Sequence, residues 1–249
     1  MRRERKGARV VEESKSPTNG NLSDDVADPA WLAVVYFFIY LVYLFATLER
    51  DLMHWVTMVF IPVATVATLA GPGRRIPRTL ASFGLKWGSL RNGLGLTIGL
   101  GIAVCFLQVA ASSMGDEIVA LLTSSQAFIS LPFAFLFLFF ITAATEETLF
   151  RGYLQTRLER LTGSKWWGLL IASVLFGLYH LPYAYLNPNW PSAGNWSEAL
   201  VASLGQGIAG GLILGGLFLY SKKNLMAPLI LHACINLLPA ATMLKFNGQ

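Results

Sequence analysis

This chain predicts an all-α, polytopic transmembrane bundle of about seven spans, and three observations carry the prediction. Apolar residues fill 54% of its 249 positions and charged residues only 13%, about half the roughly 25% charge of an ordinary globular domain. Seven apolar stretches are long enough to cross a bilayer, which takes roughly 17–25 residues. The 19 basic residues then sort almost entirely onto one side of those stretches.

Taken in order, residues 1–29 form a tail unlike the rest. Arg2, Arg3, Arg5, Lys6 and Arg9 precede a Ser/Asn/Asp-rich stretch with few large apolar groups, which reads as a disordered, basic cytoplasmic tail. No apolar run follows the charges closely enough for a signal peptide. Residues 30–249 form the transmembrane domain, with spans at about 31–48, 54–71, 92–112, 129–150, 166–184, 198–220 and 225–242. Six basic residues lie in the tail, five in 72–91, four in 151–165 and two at Lys222–Lys223, all on one side. Arg50 and Lys245 alone fall on the other. The positive-inside rule then places the N-terminus in the cytoplasm and the C-terminus opposite, as an odd number of spans requires.

Local signals refine this plan. Gly207, Gly211 and Gly215 repeat every four residues on the sixth stretch and Gly95 and Gly99 on the third, the small-residue ridges that let membrane helices approach closely. Gly163 and Ser164 supply a turn and a helix start between the fourth and fifth stretches, predicting a helical hairpin. Cys105 and Cys234 sit in apolar runs and read as small buried hydrophobes. The net charge of +5 carries no basic stripe with interleaved aromatics, so nucleic acid is not an expected partner; membrane lipids are. His54, beside Trp55, reads as an interfacial residue.

The polar residues inside the apolar stretches carry the chemistry. Glu146, Glu147 and Arg151 end the fourth stretch, His180 lies on the fifth, and His232 and Asn236 lie on the seventh. Ionisable groups at such depth are costly and mark reaction or transport sites. Glu146 and His180 each lie 17 residues from Gly163, so in a continuous hairpin both stand about 25 Å from the turn and level with each other. His232 and Asn236, four apart, share a helix face. Glu147 and Arg151 have the spacing of a supporting i,i+4 ion pair.

A buried glutamate beside an imidazole can deprotonate water. A second imidazole with an amide supplies donors to a developing oxyanion. Together they point to amide hydrolysis without a covalent intermediate; neither a Gly-x-Ser-x-Gly elbow nor a His-Glu-x-x-His motif occurs. Glu146, His180 and His232 would also serve as the ligands of a zinc ion.

Three motifs in order, Glu146-Glu147-x-x-x-Arg151, Phe176-x-x-x-His180 and His232-x-x-x-Asn236, resemble those of the CPBP-type intramembrane proteases, which include type II CAAX prenyl endopeptidases and bacteriocin-processing (Abi) proteins. The resemblance covers about 129–242, the expected catalytic core. It implies a conical cavity open toward the cytoplasm and a glutamate-dependent peptidase; of the metal-dependent and metal-free mechanisms ascribed to such proteins, the metal-free one is expected here because Asn236 suits an oxyanion donor better than a zinc ligand. Glu146 and His180 would activate water, His232 and Asn236 would hold the oxyanion, and Glu147 and Arg151 would support them. The substrate would be a membrane-presented peptide or lipidated protein, prenylated or not. The competing readings are a proton-coupled transporter, with Glu146, His180 and His232 as a relay, and a non-catalytic immunity or scaffold protein.

Overall fold

The computed structural model describes residues 29–48, 84–85, 91, 93–111, 114–188 and 190–243. The tail, the expected second span at 54–71 and His54 lie outside the described residues. Those that are described form seven helices and no strand. These are α1 (Pro29–Leu48), α2 (Leu94–Ala111), α3 (Gly115–Leu122), α4 (Ala127–Thr162), α5 (Lys165–Leu186), α6 (Trp196–Tyr220) and α7 (Met226–Met243). Four of them, α2, α4, α5 and α6, are long and apolar enough to cross a membrane. The all-α, integral-membrane expectation therefore holds.

The α4–α5 hairpin forms for the reasons read in the sequence. Gly163 adopts φ 65°, the left-handed conformation that stops α4, and the Ser164 hydroxyl caps α5 by accepting from the Trp167 N–H at 3.4 Å. Asn195 caps α6 by accepting from Ser197 and Glu198 backbone N–H groups, while its amide donates to the Glu198 carboxylate at 2.8 Å. In α7, Pro239 has no N–H to offer the Ile235 carbonyl one turn back. The amide of Gln108 on α2 donates to that carbonyl instead, which ties α2 to α7 beside Asn236.

Small residues set the packing at the centre. A Cβ at Gly207 would lie 2.5 Å from the Gly177 Cα, and one at Gly211 would lie 2.8 Å from the Ser173 Cα. The α6 ridge thus presses backbone to backbone on α5, as expected. The second ridge does not: Gly95 and Gly99 face no described atom within 4 Å, and the close contact on α2 is Gly101 against the Cys234 sulfur of α7. A stripe of glycines fixes where a partner can approach but does not say that one is there. Elsewhere Val35, Ile39 and Tyr43 of α1 pack on Phe150 and Leu154 of α4 and on Phe176 and Tyr179 of α5. Phe133, Leu136 and Phe140 remain exposed on α4, a surface suited to lipid.

The ends of the bundle are distinct. Glu159 meets Lys223 at 2.8 Å, placing the α4–α5 and α6–α7 turns side by side. Tyr36 on α1 donates to the Leu175 carbonyl, and Tyr43, two turns on, stacks on Tyr179. α1 therefore runs parallel to α5, and Pro29 and Met243 fall at opposite ends of the bundle.

Candidate active site

Glu146 and Glu147 occupy a single α-helical turn, Ala144–Glu147, between two π-helical stretches of α4, Leu138–Ala143 and Thr148–Gln155. Widened turns of this kind are frequent at functional sites. They re-aim successive side chains, and here the two neighbouring carboxylates reach different surroundings. Glu147 is fully buried. Its Oε1 accepts from Arg151 Nη1 at 2.8 Å and from His232 Nδ1 at 2.7 Å. Arg151, 2% exposed, also donates to the Gly211 carbonyl at 3.5 Å and lies 4.3 Å from the Phe176 ring centroid. One helical turn further, Gln155 donates to the Gly215 carbonyl at 3.2 Å.

Glu146 points instead into a cavity of about 440 Å³. His180 and His232 approach the same carboxylate oxygen, Oε2, with their Nε2 atoms at 3.8 and 3.7 Å. That oxygen is buried and has no hydrogen-bond partner. Both imidazoles are oriented from behind. His180 Nδ1 donates to the Phe176 carbonyl at 2.7 Å, and His232 Nδ1 donates to Glu147. A carbonyl or an ionised carboxylate can only accept, so both Nδ1 atoms carry protons and both Nε2 atoms face Glu146. Gaps of this length between polar atoms are where a bridging water fits.

Asn236 lines the same cavity one turn beyond His232, with Thr142, Tyr183, Trp190 and Ser203 further out. All six residues singled out in the sequence are thus gathered, in two layers. Glu146, His180, His232 and Asn236 face the cavity, while Glu147 and Arg151 lie behind them. The sequence reading missed three contributors. Gln155 extends the 147–151 spacing by one more turn, a signal that was available. Tyr43, from outside the motif region, and Ser203, whose buried hydroxyl has no partner, both line the cavity, and neither carries a sequence signal beyond being polar in an apolar stretch.

Glu146, His180 and His232, the zinc alternative, come together with spacings a few tenths of an ångström longer than those of a ligand shell. Two donors at about 2.1 Å from a tetrahedral zinc lie roughly 3.4 Å apart, against 3.7 and 3.8 Å here. Among the described residues no group of three or more His, Cys, Asp or Glu forms a metal-binding cluster.

Fold and site together define a polytopic membrane protein with a carboxylate–imidazole centre buried among its helices. Residues 128–238 match the family model described as Type II CAAX prenyl endopeptidase Rce1-like, a protease family, and this segment contains all three motifs. No curated protein and no solved structure matches the chain.

Proposed function

We propose that the protein is an intramembrane endopeptidase that hydrolyses a membrane-presented peptide with water activated at Glu146. The observation that carries this reading is the partnerless Glu146 Oε2 facing two imidazole Nε2 atoms inside a cavity. Water held between Glu146 and His180 gives one proton to the carboxylate, while its remaining O–H stays intact and donates a hydrogen bond to His180 Nε2. The resulting hydroxide adds to the carbonyl carbon of the scissile bond. The oxyanion is held by the Asn236 amide and by His232. The C–N bond then breaks as Glu146 returns its proton to the departing amine.

His232 can donate from Nε2 only when that nitrogen also carries a proton, because its Nδ1–H is committed to Glu147. The buried Glu147 carboxylate is the anion that stabilises this imidazolium. Glu147 is therefore a positioning residue for His232 as well as the partner of Arg151. General-base catalysis contributes about 10²–10⁴ in rate, and each oxyanion donor about 2.7–4 kcal/mol of barrier. No step requires a metal. A transport relay would favour helices broken into half-helices at the polar cluster, whereas α4, α5 and α7 stay helical past Glu146, His180 and His232, with α4 widening to π-helix on either side of Glu146 and Glu147.

The test is a peptidase assay of the purified protein against matched prenylated and unprenylated peptides, with Glu146→Gln as control. Single-turnover hydrolysis in ¹⁸O-water should place the label in the new carboxylate. Trapping of a covalent acyl-enzyme, or turnover undiminished in Glu146→Gln, would refute direct attack by water.

A further inference from the structure

We propose that the α6 wall of the cavity is the surface that recognises the substrate: Ser203 hydrogen-bonds the main chain of the bound peptide near the scissile bond, and the space beside Gly210 receives one of its apolar side chains. The proposal rests on the peptidase reading above and concerns the substrate side of the same site. Ser203, Gly207, Gly210 and Leu214 all line the cavity, at steps of four, three and four along α6, the spacing of one helix face. Their level is set by the register of α6 on α5. Gly211 meets Ser173 and Gly207 meets Gly177, so four residues back along α6 match four residues forward along α5. One more such step brings Ser203 to the level of His180, whose Nε2 stands 3.8 Å from Glu146 Oε2. Packed helix axes lie about 8–10 Å apart, a distance that an extended peptide covers in roughly two or three residues.

The Ser203 hydroxyl differs from others in the bundle. A serine or threonine inside a helix commonly bonds back to the carbonyl one turn earlier, and Thr97, Thr145 and Ser173 do so, to Gly93, Ile141 and Leu169. Ser203, 2% exposed, has no partner, and it lies in the widened, π-helical stretch Val201–Gly207. Among the described residues, Glu146 Oε2 and Ser203 Oγ are the two buried side-chain oxygens of the cavity lining without a partner. The first takes the attacking water; the second is left for the substrate. A peptide that leaves water for this cavity must pair its N–H and C=O groups again, and a hydroxyl can serve either. Gly210 supplies room. Packing demands glycine at 207, where a Cβ would lie 2.5 Å from the Gly177 Cα, but a Cβ at Gly210 would meet nothing within 4 Å. Helix contact therefore does not ask for glycine at 210, and what its missing side chain leaves is space in the cavity. Leu214, one turn on along the same face, and Phe176 are apolar members of the lining, which includes no Lys, Arg or Asp and a single carboxylate, Glu146. An apolar side chain fits such a space and a charged one does not.

The test uses the full-length protein in detergent micelles and a set of fluorescent, membrane-anchored peptides in which each position in turn is alanine or leucine and each peptide bond in turn is an amide or an ester. Binding is measured by anisotropy on Glu146→Gln, and cleavage as kcat/KM with Glu146 intact. Ser203→Ala should weaken binding and lower kcat/KM about tenfold, the scale of one hydrogen bond lost from a buried site. It should cost nothing further on the one ester peptide that lacks the bonded group. Ser130→Ala, which alters a buried, partnerless serine of α4 outside the cavity lining, should match the wild type. Gly210→Ala and Gly210→Val should progressively disfavour leucine against alanine at one peptide position, the valine variant by about tenfold or more. Wild-type behaviour of Ser203→Ala, or an equal loss on every ester peptide, overturns the role of Ser203. An unchanged leucine preference in Gly210→Val overturns the side-chain pocket. Binding that depends on Ser203 and Gly210 without cleavage of any peptide would remove the peptidase reading and leave the recognition surface standing. Cleavage indifferent to both residues would do the reverse, and no binding of any peptide would overturn both.

Discussion

Replacing Glu147 by glutamine should cost the protein both its fold stability and its turnover, and a second substitution should separate the two. In Glu147→Gln the Arg151 guanidinium, 2% exposed, loses its paired carboxylate and keeps only neutral partners, the new amide oxygen, the Gly211 carbonyl at 3.5 Å and the Phe176 ring. Breaking a buried pair in this way costs about 3–5 kcal/mol. For a chain of this length that is a fall in melting temperature of roughly 6–20 °C. Adding Arg151→Met removes the stranded charge, and replacing both members of a buried pair is often close to neutral. The double variant should therefore recover most of the lost melting temperature. Its activity should not recover, because His232 Nδ1 then faces a neutral amide and the imidazolium has lost its counter-ion. Turnover should stay about a hundredfold down, the scale of losing an oxyanion donor. The assay is thermal unfolding in detergent micelles followed by tryptophan fluorescence, paired with peptidase rates. A Glu147→Gln variant that melts with the wild type would refute the buried-pair energetics. A double variant with wild-type turnover would refute the positioning of His232.

Three further outcomes are expected. Glu146→Gln and His180→Ala should each lower turnover at least a hundredfold, given the 10²–10⁴ scale of acid–base catalysis, with gel-filtration profiles unchanged; activity within tenfold of wild type would remove that residue from water activation. Elemental analysis of the purified wild type should find no stoichiometric metal, and dialysis against a strong chelator should leave its rate intact. One zinc per chain, lost together with activity in His180→Ala or His232→Ala, would establish the metal mechanism instead. Gly211→Ala should destabilise by about 1–3 kcal/mol through overpacking, since its Cβ would meet Ser173 backbone at 2.8 Å, while Gly216→Ala, with nothing within 4 Å, should lie within about 0.5 kcal/mol of wild type by denaturation midpoint.

Features fixed by short-range chemistry were legible in the sequence. The Gly163–Ser164 turn, the level placement of Glu146 and His180, the i,i+4 contact of Glu147 with Arg151, and the α6 glycine ridge each depend on spacing within one helix or one hairpin. The features missed depend on how helices rotate against each other. Glu147 and His232 are 85 residues apart, and no periodicity says which of two adjacent carboxylates faces the seventh helix. Widened turns of α4 flank the pair on both sides, and they carry no compositional mark.

The division of labour between Glu146 and Glu147 follows from that rotation. Two adjacent carboxylates on a regular helix point about 100° apart, so one facing a cavity puts its neighbour against the packed interior. Ionising the inner one requires partners, and Arg151, four residues on, supplies the charge while His232 supplies a second donor. Once that carboxylate is neutralised from two sides, it can hold an imidazole that is itself within 3.7 Å of the outer carboxylate. Each carboxylate keeps its Oε2 without a partner, but only that of Glu146 faces the cavity, where a buried atom of this kind has strong affinity for any donor that reaches it. Water is the smallest such donor. The motif's two glutamates thus act in series: the inner one is committed to the protein so that the outer one remains free for the reaction.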